Sequence, residues 1–355
     1  MGNLKSMNDY EEGRKRGRSL LVVEGEHEKD RLFWLILRCF PEIEIDEGNI
    51  WVYHTNIYIL YDDIVREYGE DWFEYREDID LPFIISKKQE TENVCYKSDF
   101  TNIVLVFDYE RHDPNFTETK IMSMQQTFTD STDMGMLYIN YPMIESYQHL
   151  KNLPDSDYIN RTVSASINAG AIYKNTVKKN SVIAPMVDYP HRLEDLLSNR
   201  FVIDNPVIRM KCCERILALN SVGDIETEVE CIINNIMDSK KALTAKYQLI
   251  DWIHKQHYAE HGLTYWQYMR NVLRKIAVYN ILKADYIQNE TKNTDEDDNS
   301  YRRHYENIDF LNILNIQNEL SRDRQNGYIW VLNTCIMYIA EYNFRLIEQE
   351  KGDNQ

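Results

Sequence analysis

Short apolar runs alternate with stretches of helical spacing over the first 150 residues. Leu20-Leu21-Val22-Val23 is apolar, partly β-branched and too short for a helix, so it predicts a buried strand. Residues 28–40 then place Leu32, Phe33, Ile36, Leu37 and Phe40 on one helical stripe. Residues 50–53 predict a second strand, and 56–68 a helix with Ile57, Leu60, Ile64 and Val65 inside. Residues 81–85 predict a short strand, and 87–100 a polar loop. Ile103-Val104-Leu105-Val106-Phe107 is wholly apolar and predicts a central strand that Pro114 keeps from continuing. A helix over 117–128 follows, capped by Thr117 or Asn115, then a strand over 137–139 and a helix opening at Pro142. This alternation predicts an α/β fold, a mostly parallel sheet flanked by helices with right-handed crossovers. Its C-terminal strand ends share one edge, where open α/β sheets place their ligands.

Beyond residue 150 the pattern becomes helical. Helices are expected over 163–177, from 189 on, and over 208–219, 225–237, 243–255, 265–283, 308–320 and 329–347. Residues 289–304 are acidic and polar, hence a loop or linker. The expected organisation is a polar, basic tail over 1–17, an α/β domain over 18–150 and an all-helical C-terminal domain over 151–355.

Charge narrows the partners. The chain has 40 Lys+Arg against 58 Asp+Glu, a formal net charge of −18, which repels nucleic acid at long range. A nucleic-acid substrate therefore needs a metal, a basic partner or a local basic patch. Arg14, Lys15, Arg16 and Arg18 cluster before the first strand; the plainer reading is a solubilising terminus, and the sharper one is such a patch beside Glu24. The six cysteines show no C-x-x-C spacing, as expected of thiols in a reducing cytoplasm. The first 17 residues lack an apolar core of the signal-peptide kind, and no apolar run reaches 18 residues, so no membrane span is expected. The P-loop, the dinucleotide-binding glycine fingerprint and the G-x-S-x-G elbow are all missing. His254 and His257 read as surface residues, and 265–268 as helix packing.

The remaining chemistry is acidic. Glu24 ends the first strand before Gly25, and Glu28 lies four residues on. Asp108 and Glu110 end the third apolar run with i, i+2 spacing, which turns two side chains the same way in a strand. Glu145 opens the helix after the fourth strand. In a parallel sheet these five acids converge at one edge, where oxygen donors suit Mg²⁺ or Mn²⁺. The competing reading is a solvated rim. Metal-assisted phosphoryl transfer is the chemistry that fits, with cationic help from Arg111, Lys120 or Lys178; His112 reads first as a surface loop residue and second as a proton shuttle.

At Val23-Glu24-Gly25 and Asp108-x-Glu110 the chain resembles the Toprim domain, over roughly residues 15–150. The resemblance implies a metal-dependent nuclease, with catalytic residues Glu24, Asp108 and Glu110, to which Lys120 adds a cation. Glu110 stands where the family has a second aspartate, a departure that keeps the charge and lengthens the arm. Glu28 looks like the second-metal acid of the OLD (overcoming-lysogenization-defect) nucleases, and Glu145 like the acid after strand four in the RloB- and AriB-like defence proteins. The expected ligands of Mg²⁺ or Mn²⁺ are thus Glu24, Glu28, Asp108, Glu110 and Glu145. Arg14, Lys15, Arg111 and Lys178 are the expected substrate contacts. The group further implies an anti-phage effector cutting DNA or RNA, tRNA among them, with an ATPase partner and an option of self-association. The alternative is a non-catalytic module that holds a metal or a partner and scaffolds a defence ATPase complex.

Overall fold

The computed structural model describes residues 18–89, 94–167, 169–199, 201, 203–220, 222–234, 246–251, 253, 262–290 and 298–348. Its contacts divide the chain into two interleaved units, one of 1–26, 44–107 and 115–138, the other of 27–43, 108–114 and 139–355. Two of these cuts fall inside strands, after Phe107 and after Tyr138, and the strands run unbroken through them.

The first unit is built on a five-stranded sheet of order β2-β1-β3-β5-β4. The strands are β1 (Ser19–Val23), β2 (Ile50–Val52), β3 (Asn102–Asp108), β4 (Thr129–Asp130) and β5 (Gly135–Asn140). β1 pairs in parallel with both β2 and β3, and the short β4 lies antiparallel to β5. The sheet is mostly parallel, as the alternating pattern predicts. All of β1 and β5, and all of β3 beyond Asn102, are buried, which is why these segments read as continuous apolar runs rather than as alternation.

Helices α2 (Ile57–Tyr68), α3 (Leu81–Lys88) and α4 (Glu118–Thr127) complete this unit. Asn56 and Thr117 cap α2 and α4 by accepting Ile59 and Lys120 N–H groups. The strand expected over 81–85 is α3 instead. An apolar run of this length fits either element, and the ends decide: Asp80 accepts the Phe83 N–H, and Pro82 sits in the first turn. Gly135 opens β5 at φ +119°, and a Cβ there would lie 3.2 Å from Ile103 Cγ2. Gly135→Ala is expected to cost roughly 1–3 kcal/mol, read as a lowered denaturant midpoint with unchanged slope.

The second unit starts with a π-helical turn, Glu28–Phe33, that continues into α1 (Trp34–Cys39). The helix Tyr265–Asn289 buries Met269, Leu273, Ile276, Ala277, Ile281 and Ala284 on one stripe. Its Arg270 holds the end of α1, donating to the Cys39 carbonyl at 2.8 Å and pairing with Glu42 at 2.7 Å. Helices Pro206–Leu217, Val222–Asn234 and Phe310–Ser321 lie close to their expected ranges.

Three expectations here give way. The helix over 163–177 begins as a strand, β6 (Thr162–Ser164), and only later becomes a π turn, Ala169–Tyr173, and α5 (Lys174–Asn180). β6 pairs antiparallel with β7 (Tyr328–Trp330), which replaces the start of the helix over 329–347; that stretch continues as the 3₁₀ turn Cys335–Met337, the short α-helix Tyr338–Tyr342 and the 3₁₀ turn Phe344–Leu346. The region after residue 150 is therefore not all-helical. Ladder bonds reach across more than 160 residues here, and local periodicity carries no trace of them. The stretch 289–304 contains the helix Asp298–Glu306, with 291–297 outside the described residues. His254 and His257 also lie outside them. Among the described residues, no helix is long and apolar enough to cross a membrane.

Candidate metal centre

The ladder between β1 and β3 sets the first two acids. Val23 is in register with Val106, and β3 runs two residues further to Asp108. Glu24 follows Val23, donating its N–H to the Val106 carbonyl at 3.2 Å and accepting His54 N–H at 2.9 Å. Both acids are thus placed by backbone pairing and not by flexible loops. Glu110 sits two residues beyond Asp108 with φ at +28°, a conformation costly for a residue with a side chain. Its carbonyl accepts the Asp113 N–H at 2.9 Å, closing a tight turn.

Glu24, Asp108 and Glu110 each offer a carboxylate oxygen, and these oxygens all lie within 4.8 Å of one another. Asp108 is buried and the other two are half-buried. Oxygen ligands bind Mg²⁺ at about 2.1 Å and Ca²⁺ at about 2.4 Å. Two ligands on opposite sides of one ion therefore stand about 4 to 5 Å apart, so this spacing fits a single cation. Without one, like charges about 5 Å apart repel by roughly 3 kcal/mol per pair at an effective dielectric near 20. Burial, then Asp113, push the Glu110 carboxyl above its ordinary value, with Glu145 adding to the rise and Lys174 opposing it.

A second set of groups adjoins Asp108 and Glu110 in the second unit. Glu145 lies in the short helical turn Ile144–Gln148 after β5 and is 5% exposed. Asn333 pins this turn on both sides of it, donating to the Ile144 carbonyl at 2.9 Å and to Ser146 Oγ at 3.1 Å. Two groups face Glu145, the Lys174 ammonium with Nζ at 3.1 Å and the His27 ring with Nε2 at 3.8 Å. Burial works against the Lys174 charge, but Glu145, followed by Asp108 and Glu28, holds the ammonium above its ordinary value. Burial pushes the His27 imidazole down, and Glu145 opposes it. Glu28, 6% exposed, sits in the π turn next to His27. Such turns recur at functional sites, and here one carries Glu28 and the other directly precedes Lys174.

The remaining candidates lie elsewhere. Lys120 Nζ pairs with Asp62 at 2.7 Å and lies over the Tyr61 ring, so its charge is engaged between α4 and α2. Arg111 is 6% exposed and donates to Tyr109 Oη at 3.1 Å, within a buried network that includes Asn318 and Ser321. That burial keeps it from offering its guanidinium to a polymer. His112 Nε2 lies 2.7 Å from the Ala165 carbonyl, which occupies the ring as a structural tie. Lys178 is exposed on α5, and Arg14 and Lys15 lie outside the described residues. The cation beside the acids is Lys174, one helical turn before Lys178. Its only sequence signal was that spacing. His27 was likewise not singled out from the sequence, where its place between Glu24 and Glu28 is the one signal.

Compared with known protein families, with curated proteins and with solved structures, the chain matches none.

Proposed function

We propose that the chain is a divalent-metal-dependent nuclease of the Toprim kind, holding Mg²⁺ or Mn²⁺ on Glu24, Asp108 and Glu110. One observation supports this above all: three acids ending two different strands bring their oxygens within 4.8 Å of one another. Bound there, the ion supplies a water of lowered pKa and a charge that polarises a phosphoryl oxygen. The residues do the rest. Glu24 and Asp108 set the position of the charge through the strand ladder. Burial raises the Glu110 carboxyl, which favours its protonated form until an ion binds. The substrate is DNA or RNA, tRNA included, and the biological setting is anti-phage defence beside an ATPase partner.

A second reading is a metal-bearing module that docks a basic partner without cutting, and the net charge of −18 favours it. Incubation of plasmid DNA and total tRNA with Mn²⁺ separates the two. Wild type is expected to cut one polymer, and Glu24→Ala to lose at least about 10²-fold in rate while its metal-free melting temperature does not fall. Stabilisation by Mn²⁺ without cutting of either polymer would favour the docking module.

A further inference from the structure

Asn140 ends β5 as Asp108 ends β3, at the same edge of the sheet. The Tyr109 N–H donates to the Asn140 carbonyl at 3.0 Å, just as the Glu24 N–H donates to that of Val106, whose register partner is Val23. By the same register Asp108 stands opposite Asn140, and both side chains turn to one face of the sheet. Asn140 is 0% exposed and Asp108 3%.

A segment 195 residues away fixes the amide: the Cys335 N–H donates to Asn140 Oδ1 at 3.3 Å. That bond assigns the oxygen and leaves Nδ2 as the other end. Among the described residues, Nδ2 meets no acceptor. The Cys335 thiol is no substitute, being a weak acceptor that directs its own proton to Asn333 Oδ1 at 3.3 Å. Burial pushes this thiol up, and the Asp108 charge raises it further, with Asn140 and Asn333 opposing. Asp108 and Asn140 thus flank the same sulfur. A buried amide with its oxygen tied and its N–H groups unmet is costly, and such a group calls for a partner.

We propose that Asn140 is a positioning residue of the metal centre: with one Asp108 oxygen on a cation, the other accepts from Asn140 Nδ2, which fixes the rotation of that carboxylate. The inference rests on the metal reading above and adds a residue to the same site. Carboxylates that hold metals are themselves hydrogen-bonded from behind, and losing such a partner weakens the ion. Asn140 is suited to this because its backbone is set by the sheet and its amide by Cys335.

Crystal structures of the wild type in chelator and in Mn²⁺ test it directly. Nδ2 is expected within about 3.2 Å of an Asp108 oxygen in Mn²⁺ and out of reach in chelator. Calorimetric titration with Mn²⁺ gives a second readout, in which Asn140→Leu is expected to bind at least about tenfold more weakly than wild type. Thr334→Val is the control. It cuts a neighbouring tie to β5, from Thr334 Oγ1 to the Ile139 carbonyl at 2.9 Å, and leaves the amide in place. It is expected to lower the melting temperature and keep the Mn²⁺ affinity. Equal weakening by both variants, or none by Asn140→Leu, overturns the positioning role while the metal centre stands. So does an Nδ2 that stays out of reach of Asp108 with Mn²⁺ bound. Absence of ion binding by wild type overturns the metal reading and this role together. If the variants do not fold, the two wild-type structures decide alone.

Discussion

Asp108→Asn is expected to stabilise the metal-free protein and to abolish its response to Mg²⁺ or Mn²⁺. Asp108 is 3% exposed and lies within 4.8 Å of Glu24 and Glu110 oxygens. Asparagine keeps the shape and removes one buried charge from a cluster in which acids outnumber Lys174. Relief of repulsion at an effective dielectric near 20 gives an expected gain of about 1–3 kcal/mol without metal. Wild type recovers more when an ion binds only the folded state, about 4.1 kcal/mol at a thousandfold excess over Kd. The two melting curves therefore cross as Mn²⁺ is added: the variant melts higher in chelator, wild type higher in metal. Any metal-dependent cleavage falls by roughly 10²–10⁴-fold, the scale of losing a ligand and its charge stabilisation. A variant less stable than wild type in chelator would identify Asp108 as a structural acceptor instead.

The largest loss of stability is expected at Arg161. Its guanidinium meets both Asp155 oxygens, at 2.7 and 3.3 Å, and donates to the His149 carbonyl at 2.6 Å. Both side chains are more than nine-tenths buried. Burial alone would raise the Asp155 carboxyl, but hydrogen bonds from Arg161 and the Lys151 N–H outweigh it and hold the group below the ordinary carboxylate value. Arg161→Met leaves that carboxylate buried and unpaired, at a cost of roughly 3–5 kcal/mol near neutral pH. Replacing both partners, as in Arg161→Met with Asp155→Leu, is expected to cost less than the single change.

The pH dependence carries a definite sign. Asp155 has a folded-state pKa below its unfolded value, so its contribution is complete above the unfolded pKa, about 3.9. It is lost as pH falls through the folded value. In Arg161→Met, burial without its partner raises the folded pKa above the unfolded one, and protonation then relieves the variant. The stability gap between the two proteins should narrow as pH drops from 7 toward 4. A gap that widens over that interval would mean that Asp155 is not the group left behind. Urea midpoints at the two pH values measure it.

The sheet and its acidic tips were legible in the sequence for one reason. Parallel strands buried on both faces must be apolar throughout, so Leu20–Val23 and Ile103–Phe107 stand out, and a charge immediately after such a run marks a strand end at a ligand-binding edge. That alone determined Glu24, Asp108 and Glu110 as neighbours in waiting, since parallel pairing sets the strand ends side by side. It also placed Glu145 just past a strand. The helices Pro206–Leu217, Val222–Asn234, Tyr265–Asn289 and Phe310–Ser321 followed from 3.6-residue periodicity.

Tertiary structure decided the rest. Apolar runs of five to eight residues suit a strand or a helix, and residues 81–88 were settled by the Asp80 cap. Residues 162–164 and 328–330 became strands because each supplies the other's hydrogen bonds, a pairing that local composition does not encode. The same limit governs charge. Lys120, Lys174 and Lys178 are alike as sequence, yet Lys120 is spent on Asp62, Lys178 faces solvent, and Lys174 meets Glu145. Which lysine serves the acids depends on which helix face the packing turns inward, and that is a property of contacts between residues distant in the chain.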